Sequence, residues 1–358
     1  MKVKQYIYHW LFFPLLALLS VGSLTSCIYD SVLEETDMSG KSTLSITMRG
    51  ITTTDPSTSG GSYDDYVKTL RVIGFDASGS VVCNQLFDYV DNNGIPNFEV
   101  TESDEVNITQ TLEDAFQGGV CDFYFIANEE GYTVYDSQDG LSEFLEGENL
   151  TKDALDKCVI ATPTEITTLG SSPILMTTSV RSTLKPGDNT INNIELVRCF
   201  AKAQLLLKVE DNGTVSEPTN VELSGLAPDS FYLLPGKEEV ITSTTNLSYT
   251  VDVSGNNSLM NTELKAEDYF FISKVVYLPE RYLSNLTNTQ ENAVKYQITL
   301  DKAYEVPIAD NTTGNLDYSI KRNYAYTTIG TYAPETTVTL EWQVTPYTPV
   351  NVDVPTFE

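Results

Sequence analysis

Residues 43–48 read Thr-Leu-Ser-Ile-Thr-Met, three apolar side chains alternating with three hydroxyl-bearing ones. A period of two places Leu44, Ile46 and Met48 on one face of a β-strand. The same texture recurs along the chain. Thr69–Phe75 and Ser80–Phe87 flank the turn Asp76-Ala77-Ser78-Gly79, and Phe123–Ala127 (FYFIA) reads as a core strand. Arg198–Val209 (RCFAKAQLLLKV) reads as one long strand. Asn220–Leu223, Asn246–Val253, Tyr269–Leu278, Lys295–Leu300, Tyr324–Gly330 and Thr336–Val344 follow. Helical signals are confined to Ser142–Leu150 and Lys152–Cys158, with Thr151 as a cap for the second. The pattern predicts an all-β chain with few short helices.

The length of 358 residues suits about two domains. Asp55–Asp65 (DPSTSGGSYDD) reads as a flexible loop, and Lys185-Pro186-Gly187-Asp188 as a strong turn. The reading is two tandem β-sandwiches, roughly 41–190 and 191–358, without a recognisable sequence repeat.

The first residues set the compartment. Lys2 and Lys4 precede an apolar run, Leu11–Val21, too short to span a bilayer and of the length of a signal-peptide core. Leu24-Thr25-Ser26-Cys27 then resembles a bacterial lipobox. The expected outcome is cleavage before Cys27, lipid on its thiol, and an exported, anchored protein; an ordinary signal peptide with an incidental cysteine is the alternative. Beyond that segment 19 basic residues face 50 acidic ones. A field of that sign repels phosphate backbones and anionic lipid, so nucleic acid is not an expected partner. The single histidine, His9, lies in the same removable segment. The mature chain therefore lacks the side chain on which Ser-His-Asp and Cys-His catalysis and His-ligated zinc depend.

No chemistry-bearing motif survives inspection. Asp88–Gly94 fails the calcium-loop register because Val90 stands where an oxygen ligand belongs, so it reads as a hairpin turn. Ser182-Thr-Leu-Lys185 is a short pattern without supporting motifs. No metal or cofactor is expected, and the chain does not read as an enzyme. Cys83, Cys121, Cys158 and Cys199 contain no CxxC pair, which leaves either disulfides or small buried hydrophobes. The tyrosines fill strand faces or, alternatively, offer a glycan platform on a surface lipoprotein.

The two ends look like one strand written twice. The first strand is followed by Arg49-Gly50 and the flexible run, where a protease specific for basic residues would cut. Near the C-terminus Val350, Val352 and Val354 alternate between Pro349 and Pro355. Loss of the first strand would strip a sandwich of three buried side chains and a hydrogen-bond ladder, about 5–9 kcal/mol at 1.5–3 per side chain. A strand from another copy would restore both, and head-to-tail repetition makes a fibre. The alternative is an ordinary edge strand at each end.

Several segments together resemble the fimbrillin family of Bacteroidetes type V pili. They are the lipobox, the strand ending at Arg49, Phe123-Tyr-Phe-Ile-Ala-Asn128, Ile174-Leu-Met-Thr-Thr-Ser179, Arg198-Cys-Phe-Ala-Lys202, Arg322-Asn323-Tyr324-x-Tyr326 and Trp342-x-Val344. The resemblance implies two transthyretin-like β-sandwiches behind a signal peptide (1–26) and a propeptide (27–49), with domains at 50–190 and 191–358. It implies an outer-membrane lipoprotein precursor anchored through Cys27. An Arg-specific protease would cleave Arg49–Gly50 and release Leu44, Ile46 and Met48. A donor strand at 349–357, carrying Val350, Val352, Val354 and Phe357, would then insert into other copies or related pilus subunits in an extracellular fimbrium. An anchor or tip adhesin of the same pilus, with its own adhesion ligand, is the alternative. Tyr324 departs from the Arg-Asn-His of many members, and Cys199 is an unusual residue within its strand.

Overall fold

The computed structural model describes residues 43–48, 63–88, 99–100, 106–112, 118–163, 172–210, 215–237, 244–251, 257–333 and 338–346. The alternating segments form the expected β-sandwiches. In the first unit the strands are β1 (Thr43–Met48), β2 (Thr69–Asp76), β3 (Val81–Asp88), β4 (Glu99–Val100), β5 (Val106–Thr111) and β6 (Gly119–Ala127). Two short helices follow, α1 (Leu141–Glu146) and α2 (Lys152–Asp156), then β7 (Val159–Ala161), β8 (Met176–Leu184), β9 (Asp188–Ile194) and β10 (Val197–Arg198). One sheet has the order β4-β5-β1-β9 and the other β10-β8-β6-β2-β3. Their facing side chains, among them Leu44, Ile46, Val72, Ile108, Phe123, Phe125 and Ile191, make one buried cluster. β9 runs through residues 190 and 191, and β10 still pairs with β8, so the sheets of this unit extend to Arg198.

The second unit comprises β11 (Phe200–Val209), β12 (Asn220–Pro228), β13 (Ser230–Tyr232), β14 (Thr244–Thr250), β15 (Phe271–Ile272), β16 (Val276–Pro279), β17 (Lys295–Thr299), β18 (Ala303–Pro307), β19 (Tyr324–Tyr332) and β20 (Val338–Pro346). One sheet runs β15-β11-β19-β20, with β16 also on β11, and the other β14-β12-β17-β18. β13 pairs instead with β7 of the first unit. The Trp342 indole on β20 donates to the Pro307 carbonyl on β18 at 2.8 Å and closes one side of the sandwich.

The two units share a topology that the sequence conceals. The first strand of each, β1 or β11, lies inside its sheet, between an antiparallel partner (β5 or β16) and a late parallel one (β9 or β19). The order β3-β2-β6-β8 is repeated as β14-β12-β17-β18. The outer face of the β2–β6 sheet, carrying Ile73, Phe75, Tyr124 and Ile126, is covered by Leu141, Leu145 and Leu155 of the helices. That cluster runs on into Phe200, Phe231 and Tyr326 of the second unit. Thr151 caps α2 as expected, its hydroxyl accepting from the Ala154 amide at 3.1 Å.

Two expected strands are broken. Arg198–Val209 is two strands: Arg198 pairs with Met176 in the first unit, and Phe200 with Pro279 in the second. The chain changes sheets at Cys199. Tyr269–Leu278 is interrupted at Ser273, whose hydroxyl accepts the Leu205 amide at 2.9 Å in place of a backbone carbonyl. Asp88–Gly94 lies mostly outside the described residues.

Gly225 in β12 has φ +123°, and a Cβ there would lie 2.6 Å from the Ala293 carbonyl oxygen. Gly225→Ala therefore combines strain with a backbone clash. It should lower stability by at least about 2 kcal/mol, read as a reduced Tm in thermal unfolding.

Candidate functional site

β1 is the element on which an assembly function would turn. Its antiparallel register with β5 runs from Thr43–Thr111 to Met48–Val106. On its other edge it runs parallel to β9 from Thr43–Asp188, with an irregularity between Ile46 and Met48. It is an interior strand, so the edge-strand alternative does not describe it. Leu44 and Ile46 are each 0% exposed and lie against Ile108, Phe123, Phe125 and Ile191. Full burial of two such side chains is worth about 1.5–3 kcal/mol each. Cys27, Arg49, Gly50, Val350, Val352, Val354 and Phe357 lie outside the described residues.

The chain resumes at a short 3-10 turn, Tyr63–Asp65, which is bolted to both units. Asp64 is buried and accepts from the Lys202 ammonium and the Tyr277 phenol. The Arg198 guanidinium donates to the Asp64 carbonyl at 2.8 Å, pairs with the Asp65 carboxylate, and reaches the Asn323 side-chain oxygen at 2.9 Å. Burial lowers the Lys202 pKa despite the attraction of Asp64, so the pair is held in a weakly solvated place. A second clamp lies across the same boundary. Arg322 pairs with buried Glu280 at 2.6 Å and donates to the carbonyls of Leu233, at 3.1 Å, and Tyr232. Thr177 of the first unit donates to the same Leu233 carbonyl at 2.7 Å.

A model of the family described as major fimbrial subunit protein (FimA) matches residues 42–248, more than half of the chain. The chain belongs to the FimA fimbrial subunit family. As a fimbrial subunit its place is the cell-surface fimbrium, in association with other subunits. No curated protein sequence matches it. Its fold is similar to that of the C-terminally truncated tip fimbrial protein Mfa3 from Porphyromonas gingivalis. The TM-score is 0.56 at 14% identity, over 85% of this chain and 99% of that one. A fimbrial assembly protein from Parabacteroides distasonis gives 0.51 at 12% identity, over 85% and 94%.

Some of the described segments that carried the resemblance are structural joints of this fimbrial subunit. Asn128, at φ 60°, ends β6; its side chain accepts the Lys68 amide at 2.9 Å and donates to the Tyr66 and Ile174 carbonyls at 2.8 and 2.9 Å. Asn323, at φ 59°, bridges to Phe200 through its amide and to Arg198 through its side chain. The Tyr326 hydroxyl accepts the Lys321 amide at 2.8 Å. Sequence reasoning named most of these residues but not Asp64, which is indistinguishable in sequence from the other acids of the 55–65 run.

The four cysteines are separate buried thiols rather than disulfides. Burial pushes Cys158 up to about 12 and also raises Cys199, so neither is a thiolate at neutral pH. Among the described residues eight tyrosines are buried, Tyr296 and Tyr326 almost completely.

Ile46→Ala should cost about 2–5 kcal/mol in unfolding of the uncut chain, since it opens a cavity at the centre of the first sandwich. Arg322→Ala leaves Glu280 buried without its charge partner and should cost about 3–5 kcal/mol. Chemical denaturation measures both.

Proposed function

We propose that the chain is a polymerising fimbrial subunit, made as a lipoprotein anchored through Cys27. Cleavage at Arg49–Gly50 releases β1, and the donor segment 349–357 of another copy or a related subunit takes its place. The observation that carries this reading is the position of β1, the first strand of its unit, bonded on both edges and buried at Leu44 and Ile46. It is joined to the rest of the fold through residues 49–62, which contain the basic residue and the Gly/Ser run. Removing an interior strand leaves two facing edges and an apolar slot, which is the acceptor that β-strand addition requires. Val350, Val352 and Val354 supply the matching alternation.

A second reading is a tip subunit, in keeping with the likeness to the tip fimbrial protein Mfa3. A tip would keep the slot and make no use of its own C-terminal strand.

Val352→Asp separates the two. A carboxylate in the apolar slot costs several kcal/mol, so the cleaved variant should stay folded by circular dichroism and lose the denaturant-resistant ladder of copies that the unaltered protein forms. An unchanged ladder contradicts the donor assignment. Wild-type-like incorporation of the variant at fibre ends alone supports the tip reading.

A further inference from the structure

Beyond residue 50 the sequence contains five arginines, Arg71, Arg181, Arg198, Arg281 and Arg322. Four of them are at most 7% exposed. Each is held inside the fold by its guanidinium. Arg71 forks onto Glu129, at 2.7–3.1 Å, and reaches Asn84 and Glu146 at 3.1 and 2.8 Å. Burial works against its charge, and the two glutamates more than offset that, so its pKa rises. Arg198 and Arg322 form the clamps described above. Arg281 donates to the Asn292 carbonyl at 2.6 Å, and its backbone bonds to Ile320 in both directions.

Arg181 is different: its side chain is 70% exposed, 3.5 Å from Asp122. Its backbone, however, lies in the middle of β8, in a ladder with β6 that runs unbroken from Gly119–Leu184 to Ala127–Met176. An endoprotease binds several residues of extended backbone in its cleft, and here one edge of that backbone is already bonded to β6, while β10 pairs only with Met176 and Thr177 of the same strand.

Several lysines are placed the other way, Lys202 and Lys295 being the covered ones. Lys157 and Lys68 have side chains 69% and 54% exposed, and Lys265, Lys274 and Lys302 sit on exposed turns or connections. A charge-only account gives no reason for this division. The guanidinium fork suits buried bidentate pairing, and the ammonium prefers water.

We infer that the folded body from Tyr63 onward is closed to arginine-directed proteases while remaining open to lysine-directed ones. The inference deepens the proposed maturation and rests on it for its purpose: an enzyme that reads arginine can process the leader without destroying the subunit it releases.

The test is limited proteolysis of the full folded chain, followed by intact-mass analysis, with an arginine-specific and, separately, a lysine-specific endoprotease. The arginine enzyme should leave residues 63–358 in one piece at times when the lysine enzyme has cut the body. After unfolding in urea it should cut at all five arginines. Lys265→Arg, which keeps the charge on an exposed turn, should create a new arginine cut in the folded chain. Cleavage after Arg71, Arg181, Arg198, Arg281 or Arg322 in the folded protein at a rate comparable with the Lys265→Arg site overturns the inference. An intact body with no cut at Arg49 upholds the inference and counts against the maturation reading, so the two fail separately.

Discussion

The six residues of β1 have hydrogen-bonding partners on both edges, antiparallel to β5 and parallel to β9, and bury Leu44 and Ile46 completely. An edge strand can leave a sheet and expose one row of backbone groups; an interior strand leaves two rows and a gap in the core. The rest of the first sandwich is built around that constraint. β5 and β9 are held in one sheet by β1 among the described residues, and the core side chains of β2 and β6 close against its inner face. The corresponding strand of the second unit, β11, has the same neighbours by topology but is longer, and eight of its ten residues are buried. Two sandwiches of one design thus differ in how firmly their first strand belongs to them.

At the boundary between the units, polar clamps are added to the apolar cluster that runs across it. Asp64 receives Lys202 and Tyr277, Arg198 spans Asp64, Asp65 and Asn323, and Arg322 with Thr177 shares the Leu233 carbonyl. Buried charge pairs of this kind contribute little net stability compared with an apolar core, yet breaking one partner is costly. They fix geometry. Asp64 lies just after the run that follows Arg49, so the clamp holds the chain to the body where the described residues resume after β1. Acidic residues far outnumber basic ones, and the structure commits Arg198 and Arg322 to these joints.

The strand texture was legible because period-two alternation survives in TLSITM and short, nearly continuous apolar runs mark FYFIA and residues 200–209. Alternation reports faces, not neighbours, so it predicted which side of β1 is buried and left its central position open. The break at Cys199 was hidden because Arg198 and Phe200 are both strand residues that happen to belong to different sheets. The interruption at Ser273 depends on one hydroxyl replacing a carbonyl, which no local pattern announces. Asn128 and Asn323 were noticed as parts of motifs; that they adopt positive φ and tie chain segments together is a tertiary fact. The topological repeat was invisible because sheet order is conserved by pairing while the side chains differ throughout.

Whether β1 separates from the fold is read directly at the N-terminus of the protein extracted from the cell surface. Terminal sequencing with intact mass should give a chain that starts at Gly50 and has lost Thr43–Met48. A chain that starts at a lipid-modified Cys27 and keeps that strand in assembled fibres would contradict the separation.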